Sequence, residues 1–427
     1  MGRPEDLKTG EREEESRSSG HLVFQSSNLP RVCLLTEMFY PVVGGGETHA
    51  RLLAESLNAM GTPTWVLTRQ TDHTFRRSEL IGDTLVYRLP PSGVQRLGKY
   101  LMIPAVMSEL HKRRDDYDVI LVCGFRVLGV PAVLAAGKLN KACILRAEAL
   151  GEMSGSYASA YRKLSSPMHW ALSRYIGVRN KILRQADAFQ SISRPVSREF
   201  EACGVPSDRI FEIPNGIDTD LYHPVDAQTH LELRRNLGLP VGKKIVGYSG
   251  KLNKGKGLEC LVKAWAAIRV SHPDAHLLLI GSGGGQTISC EDQLRAMARD
   301  LRLEDSVTFT GYVEKVHEYL QACDVFVFPS ENESFGLSLV EAMACALPSV
   351  ACEIGPIPEI LRHNHEGIVI KPRDESALAD ALDMLLSRPS FAKSLGENAR
   401  QSVVERYSMS AIAVRYRDML VQVAGSP

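Results

Sequence analysis

The sequence has no excess of charge. Fifty Lys and Arg residues face fifty Asp and Glu residues, a formal net charge of zero, so composition gives no support to nucleic-acid binding, which calls for a basic stripe. Long apolar runs are missing as well. The most apolar stretch, Val127 to Gly137, is too short to span a bilayer and contains Pro131. Nine cysteines are present, an odd number, and none forms a Cys-x-x-Cys pair. They are expected to be free thiols of a reducing compartment. Residues 1–20 are charged and polar, with no secretory signal, and the expected location is cytoplasmic or peripheral on the cytoplasmic face of a membrane.

What is present points to a large soluble α/β protein. The 427 residues exceed one ordinary core and suit two domains, and 44% apolar with 23% charged residues is ordinary globular composition. Residues 1–29 lack apolar periodicity and are expected to form a disordered tail. From Arg31 a buried strand, a glycine loop and a helix follow in turn. RVCLLT leads to Gly44-Gly45-Gly46, and then Ala50, Leu53, Ala54, Leu57 and Met60 recur at helical spacing. Further strands are expected at Thr64–Thr68, Val119–Cys123, Ala142–Ala147 and Ala188–Ile192. The turn-rich IPNGIDTDLYHPVD reads as a domain junction, after which the alternation restarts at KKIVGYSG. Such alternation predicts parallel sheets with helices on both faces. The expected division is 30–225, 226–400, and a C-terminal helix over 401–427 that crosses back. Ligands of such folds bind at the carboxyl ends of strands.

Three loops after strands carry candidate chemistry. Gly44, Gly45 and Gly46 allow close backbone approach to a ligand, at a helix N-terminus suited to anions. The same glycines could equally make a plain strand–helix turn. GKLNKGKG, Gly250 to Gly257, nearly matches a P-loop, but Gly257 stands where the magnesium-binding hydroxyl belongs. Lys251 and Lys256 are therefore read either as solvated surface cations or as two cations facing a diphosphate. In SENESFGLSLVEAMACALPSV, Glu333 falls in a loop and Glu341 inside the following helix. These two carboxylates can contact different parts of one elongated ligand, while Phe335, Gly336 and Leu337 offer helix N-terminal N–H groups to phosphate. Carboxylates suit sugar hydroxyls because ionised acceptors make the stronger hydrogen bonds.

Taken in order, these motifs resemble a retaining glycosyltransferase of family 4, in the GT-B class: two doubly wound Rossmann-like domains facing across a cleft. The resemblance runs from Arg31 to about Val423. It rests on the glycine loop, PNGID with LYHP, GKLNKGKGLECLVKAW, LLLIGSGGG, VTFTGYV, Glu333-x7-Glu341 and GPIPEIL. It implies a nucleotide-sugar donor, with Lys251 and Lys256 on its diphosphate, Glu333 on the transferred sugar and Glu341 on the ribose. Gly336 and Leu337 then act as backbone donors, Gly250 opens the basic loop, and Gly44 to Gly46 close over the sugar-phosphate end. It also implies transfer of a hexose-type sugar from a UDP- or GDP-sugar to a lipid-linked or small hydroxyl acceptor. The resemblance implies as well that configuration is retained by front-side attack, with the departing phosphate taking the acceptor's proton.

The sequence departs from the family at two places. Lys251 stands where Arg is usual, keeping the charge without the bidentate fork. LRAEALGE offers Glu148 and Glu152, candidate acceptor-side residues, where many members carry a His. No metal or cofactor is expected, because lysines and helix N–H groups supply the positive charge. Competing readings are an epimerase or phosphorylase on the same architecture, a catalytically silent nucleotide-sugar-binding protein, and a P-loop NTPase. One segment stands apart: residues 157–186 hold six Lys or Arg and no acid, interleaved with aromatics. It reads either as a helix whose aromatics pack into the core, or as a surface for an anionic membrane.

Overall fold

The computed structural model describes residues 29–42, 44–93, 97–156, 166–284 and 288–425; the tail over 1–28 lies outside them. Two sheets organise the chain. The first contains β1 (Val32–Thr36), β2 (Thr64–Arg69), β3 (Ser78–Ile81), β4 (Thr84–Leu89), β5 (Val119–Cys123), β6 (Ala142–Arg146), β7 (Ala188–Ser191) and β8 (Ile210–Glu212). Their order is 3-4-2-1-5-6-7-8. The second contains β9 (Lys244–Ser249), β10 (Ala275–Ile280), β11 (Val307–Phe309), β12 (Val325–Phe328), β13 (Ser349–Cys352) and β14 (Ile368–Ile370), in the order 11-10-9-12-13-14.

β1, β5, β10 and β12 are buried along their whole length. That is why they read as unbroken apolar runs rather than alternating ones. β1 pairs in parallel with both β2 and β5, matching Val32 to Thr64 on one side and to Val119 on the other. Every named pairing is parallel but one. The β3–β4 hairpin is antiparallel, a correction to the all-parallel expectation. It lies at the sheet edge, where β3 alternates between exposed and half-buried residues, so period-2 alternation replaces the apolar run.

Each sheet reverses its winding once, between β1 and β5 and between β9 and β12. Crevices form at such switch points, beyond the carboxyl ends of the strands. At those places stand Gly44 and the helix start Gly45–Glu47 after β1, Gly124 after β5, the loop Gly250–Gly257 after β9 and the loop Pro329–Gly336 after β12. Topology alone thus brings the candidate residues of both halves to the same end of their sheets.

The C-terminal helices tie the halves together. Pro389–Arg406 packs on Leu337–Ala344, and Met409–Ala424 packs on Gly45–Ala59. Ile412, Tyr416, Met419 and Leu420 are buried in the core cluster that includes Val32, Leu34, Leu53 and Leu57. Each such side chain contributes about 1.5–3 kcal/mol of burial, so the last helix is an integral part of the first half. A strap crosses the junction: Ile217 N–H donates to Tyr407 O at 2.9 Å, and Met409 N–H to Ile217 O at 2.8 Å.

The basic segment is corrected in part. Residues 157–165, including Tyr157, Tyr161, Arg162 and Lys163, lie outside the described residues. Helix Ser166–Leu183 does not present one basic face. Arg174 and Lys181 are exposed, but Arg179 is buried, and its Nη2 donates to the carbonyls of Glu152 and Met153, each at 2.7 Å. Of its described aromatics neither packs inward: Trp170 and Tyr175 are exposed, and Arg174 lies 5.4 Å over the Trp170 ring. Among the described residues no helix is long and apolar enough to cross a membrane.

Candidate active site

The β9 loop is shaped by what it must pass. A Cβ at Gly257 would lie 1.9 Å from Pro329 O, and φ there is +66°. A Ser or Thr is excluded, which is the physical reason the near-P-loop lacks its hydroxyl. The glycine lets this loop lie directly on the β12 loop, where Glu331 N–H donates to Gly255 O at 2.9 Å. That contact brings Lys256 to Glu333. Lys256 Nζ and Glu333 Oε1 form an ion pair, and Ser330 Oγ donates to the same oxygen at 3.0 Å. Lys251 is exposed at the loop's start, and its carbonyl accepts from Tyr248 Oη at 3.1 Å. Gly250, at φ +149°, turns the chain out of β9.

Beyond Glu333 the loop enters helix Leu337–Ala344 through Gly336, whose φ of +110° disfavours any L side chain. Phe335 is buried edge-on against Tyr407, with ring centroids 5.9 Å apart. This anchors the loop to the junction strap and aims the helix N-terminus at the cleft. Glu341 lies one turn inside the helix, half-buried. Burial raises its carboxyl pKa to about 7, against a hydrogen bond from the Tyr222 hydroxyl. Tyr222 belongs to the LYHP motif, whose part in the site was not legible in the sequence. Arg400 fixes it by donating to Tyr222 O at 2.7 Å and to Ala344 O at 3.0 Å.

The first half closes over this loop. Leu150 N–H donates to Ser334 Oγ at 3.0 Å, and Ser193 Oγ donates to Ser334 O at 2.9 Å. A Cβ at Gly45 would meet Leu337 Cδ1 at 2.9 Å. Gly45 and Gly46 form the first turn of helix Gly45–Ala59, with Gly44 its N-cap, rather than a loop ahead of it. Glu148 is half-exposed beside this turn, and Glu152 is buried. Burial, then the Glu148 charge, raise the Glu152 pKa to about 7. A groove of about 1050 Å³ lies behind the donor-side loop, between Ser193, Phe335, Glu359 and Tyr407. It contains none of the lysines or glutamates above.

The sequence candidates therefore converge. Lys256 pairs with Glu333, Leu337 lies against Gly45 and Glu148 against Gly46, with Gly44, Lys251, Gly336 and Glu341 on the same loops and helices, while Phe335 and Glu152 are buried behind them. Two Asp-x-Asp spacings are engaged elsewhere. Asp118 pairs with Arg31 at 2.8 Å, and Asp218 Oδ1 accepts from Asp220 and Leu221 N–H within its own turn. Among the described residues no three His, Cys, Asp or Glu side chains gather to hold a metal ion.

Two Rossmann-like units joined by a crossing C-terminal helix, with cations and a helix N-terminus in the cleft, define a GT-B enzyme. Residues 43–221 match the family described as Glycosyltransferase Family 4, and residues 230–402 match Glycosyl transferases group 1. The chain belongs to the group 1 glycosyltransferases.

Among curated relatives, it is 31% identical to N-acetyl-alpha-D-glucosaminyl L-malate synthase of Bacillus anthracis over 56% of this chain and 61% of that one. It is 27% identical to an uncharacterized glycosyltransferase of Methanocaldococcus jannaschii over 90% and 96%. It is 33% identical to D-inositol 3-phosphate glycosyltransferase of Corynebacterium aurimucosum over 50% and 51%. The chain thus spans about half to three fifths of the length of the two relatives named for an activity. Among solved structures, sucrose-phosphate synthase of Thermosynechococcus elongatus superposes with a TM-score of 0.75 at 26% identity, over 92% of this chain and 98% of that one. Anabaena HepE in complex with UDP-glucose gives 0.72 at 20%, over 92% and 100%.

Proposed function

We propose that this glycosyltransferase moves a hexose-type sugar from a UDP- or GDP-sugar to a lipid-linked or small hydroxyl acceptor, with retention of configuration and without a metal. The observation that carries the reading is the Lys256–Glu333 pair at the mouth of helix Leu337–Ala344. A donor diphosphate placed there meets Lys251, Lys256 and the N–H groups of Gly336 and Leu337. Lys256 then turns from Glu333 to phosphate, and Glu333 is released to accept hydroxyls of the transferred sugar. Fixed positive groups on the leaving diphosphate stabilise the charge separation of the transition state. Closure of residues 30–225, as the acceptor half, on 226–400, as the donor half, orients both substrates and limits hydrolysis. Glu341 is assigned to the ribose. The same fold in HepE holds UDP-glucose, which supports a nucleotide-sugar donor here.

A cytoplasmic protein, peripheral on an anionic membrane through Trp170, Arg174, Tyr175 and Lys181, is the proposed setting for a lipid-linked acceptor. A rise in Tm on titration with a panel of nucleotide sugars, EDTA present, tests the function. One donor bound without metal supports it; none bound without metal overturns it.

A further inference from the structure

The acceptor side of the cleft carries its own anions where an anion site would otherwise stand. Helices Gly45–Ala59 and Phe125–Leu139, each of 15 residues, start at the carboxyl ends of β1 and β5. Each starts behind a glycine, Gly44 or Gly124, that makes no side-chain cap. Unpaired N–H groups at such ends attract anions. At the second of these helices a protein carboxylate takes the place of the ligand. Glu152 Oε2 accepts from Phe125 N–H at 3.1 Å, and its Oε1 from Glu148 and Ala149 N–H, each at 3.2 Å.

Glu148 lies between the two glycine turns. A Cβ at Gly46 would be 2.9 Å from its Oε1, and one at Gly124 2.8 Å from its Oε2. A Cβ at either position would push the carboxylate aside, and Gly124, at φ +73°, disfavours any L side chain. A buried cation points at it from behind. Arg146 is wholly buried, with Nε on Tyr416 Oη at 3.0 Å and Nη2 on Asn215 Oδ1 at 2.6 Å. Its Nη1 makes no hydrogen bond and lies 3.5 Å from Glu148 Oε1. Glu47 stands on the same side, its carboxyl pKa raised by burial and, to a lesser extent, by Glu148. Arg126 is held 3.8 Å from Glu152. Leu150, two residues beyond Glu148, donates to Ser334 beside Glu333, so this cradle adjoins the place assigned to the transferred sugar.

We propose that Glu148, backed by Glu47, selects the acceptor, and that the acceptor is uncharged around its reacting hydroxyl: a neutral sugar or polyol. This rests on the glycosyl-transfer reading of the cleft. A hydroxyl donates well to an ionised carboxylate, whereas a phosphate or carboxylate brought to the same place meets a like charge. With the diphosphate on Lys251 and Lys256, Arg146 spent on Glu148 and Arg126 on Glu152, a second anion lacks a counter-charge. The site differs in this from what relatives named for L-malate or D-inositol 3-phosphate would need.

The test removes the built-in anion. Wild type and Glu148→Ala, each saturated with nucleoside diphosphate to fill the lysine site, are titrated with inorganic phosphate. The rise in Tm is converted to affinity by linkage. The variant, its cradle vacated, is expected to bind phosphate at least tenfold more tightly than wild type. Equal affinity in the two proteins, or no gain in the variant, overturns the proposal. Glu148→Ser replaces the alanine variant if that does not fold, as judged by its Tm without ligand. If no nucleoside diphosphate raises the Tm, the transferase reading fails instead. The phosphate comparison is then made in a Lys251→Ala/Lys256→Ala background, where it still decides the cradle. An acceptor, once found by transfer, that carries phosphate or carboxylate next to the reacting hydroxyl also overturns it.

Discussion

Glu341 gives the donor site a pH dependence that can be worked out in advance. Desolvation raises its carboxyl pKa to about 7, against the Tyr222 hydrogen bond, at a side chain that is half-buried. A carboxylate accepts two ribose hydroxyls better than a carboxylic acid does. The ionised fraction rises from about 10% at pH 6 to about 90% at pH 8 for a pKa of about 7. Affinity for an intact nucleotide sugar should therefore rise about tenfold over that range and flatten above it. A nucleotide sugar is the right probe because its diphosphate is esterified at both ends and does not titrate there. The sign for stability is opposite. The folded carboxyl pKa lies above the unfolded value, so the empty protein binds more protons folded than unfolded and loses stability as pH rises from about 4.5 towards 7. Bound donor offsets that loss above pH 7. Calorimetry in two buffers of different ionisation enthalpy adds an independent readout, since binding at pH 7 should release about half a proton. Glu341→Gln should abolish both the slope and the proton release. An affinity in wild type that stays flat from pH 6 to 8, with no proton released, would refute the reasoning.

The remaining expectations concern single contacts. Lys256→Ala should lower kcat/KM by about 10²-fold or more, the scale of one lost electrostatic partner in the transition state, while Lys251→Arg keeps most activity; initial rates at subsaturating donor decide this. Glu333→Ala should leave nucleoside diphosphate affinity within about threefold of wild type and impair transfer, whereas Glu341→Ala weakens nucleotide binding itself, as calorimetry with nucleotide alone will show. Arg179→Ala should lower stability by about 1–3 kcal/mol, because the Glu152 carbonyl loses its partner while Met153 O keeps Asn180 Nδ2, whereas Arg174→Ala/Lys181→Ala should leave the Tm nearly unchanged and reduce co-sedimentation with anionic vesicles.

Much of this architecture was legible because a buried parallel strand can hardly disguise itself. The expected strand Val119–Cys123 matches β5 residue for residue, whereas the C-terminal helix expected over 401–427 is two helices, Pro389–Arg406 and Met409–Ala424. The β3–β4 hairpin was missed although Gly82-Asp83 sits at its turn and SELI and TLVYRL flank it. Its edge strand β3 is half-exposed and carries the weaker, alternating signal. Individual cations were harder. Arg146, Arg174 and Arg179 look alike in sequence, yet two are buried for opposite ends of one loop and the third is solvated. Which way a guanidinium points depends on carbonyls and carboxylates distant in the chain. The same is true of Tyr222, which reaches Glu341 from the PNGID–LYHP turn, a long-range contact that spacing cannot reveal.

The most direct test of the central claim is calorimetric titration of the protein with a panel of UDP- and GDP-sugars in the presence of EDTA, repeated with Lys256→Ala. The account predicts saturable one-to-one binding of at least one nucleotide sugar without any divalent ion, weakened by the lysine substitution. Binding that appears only when Mg²⁺ or Mn²⁺ is restored, or that is indifferent to Lys256, would contradict it.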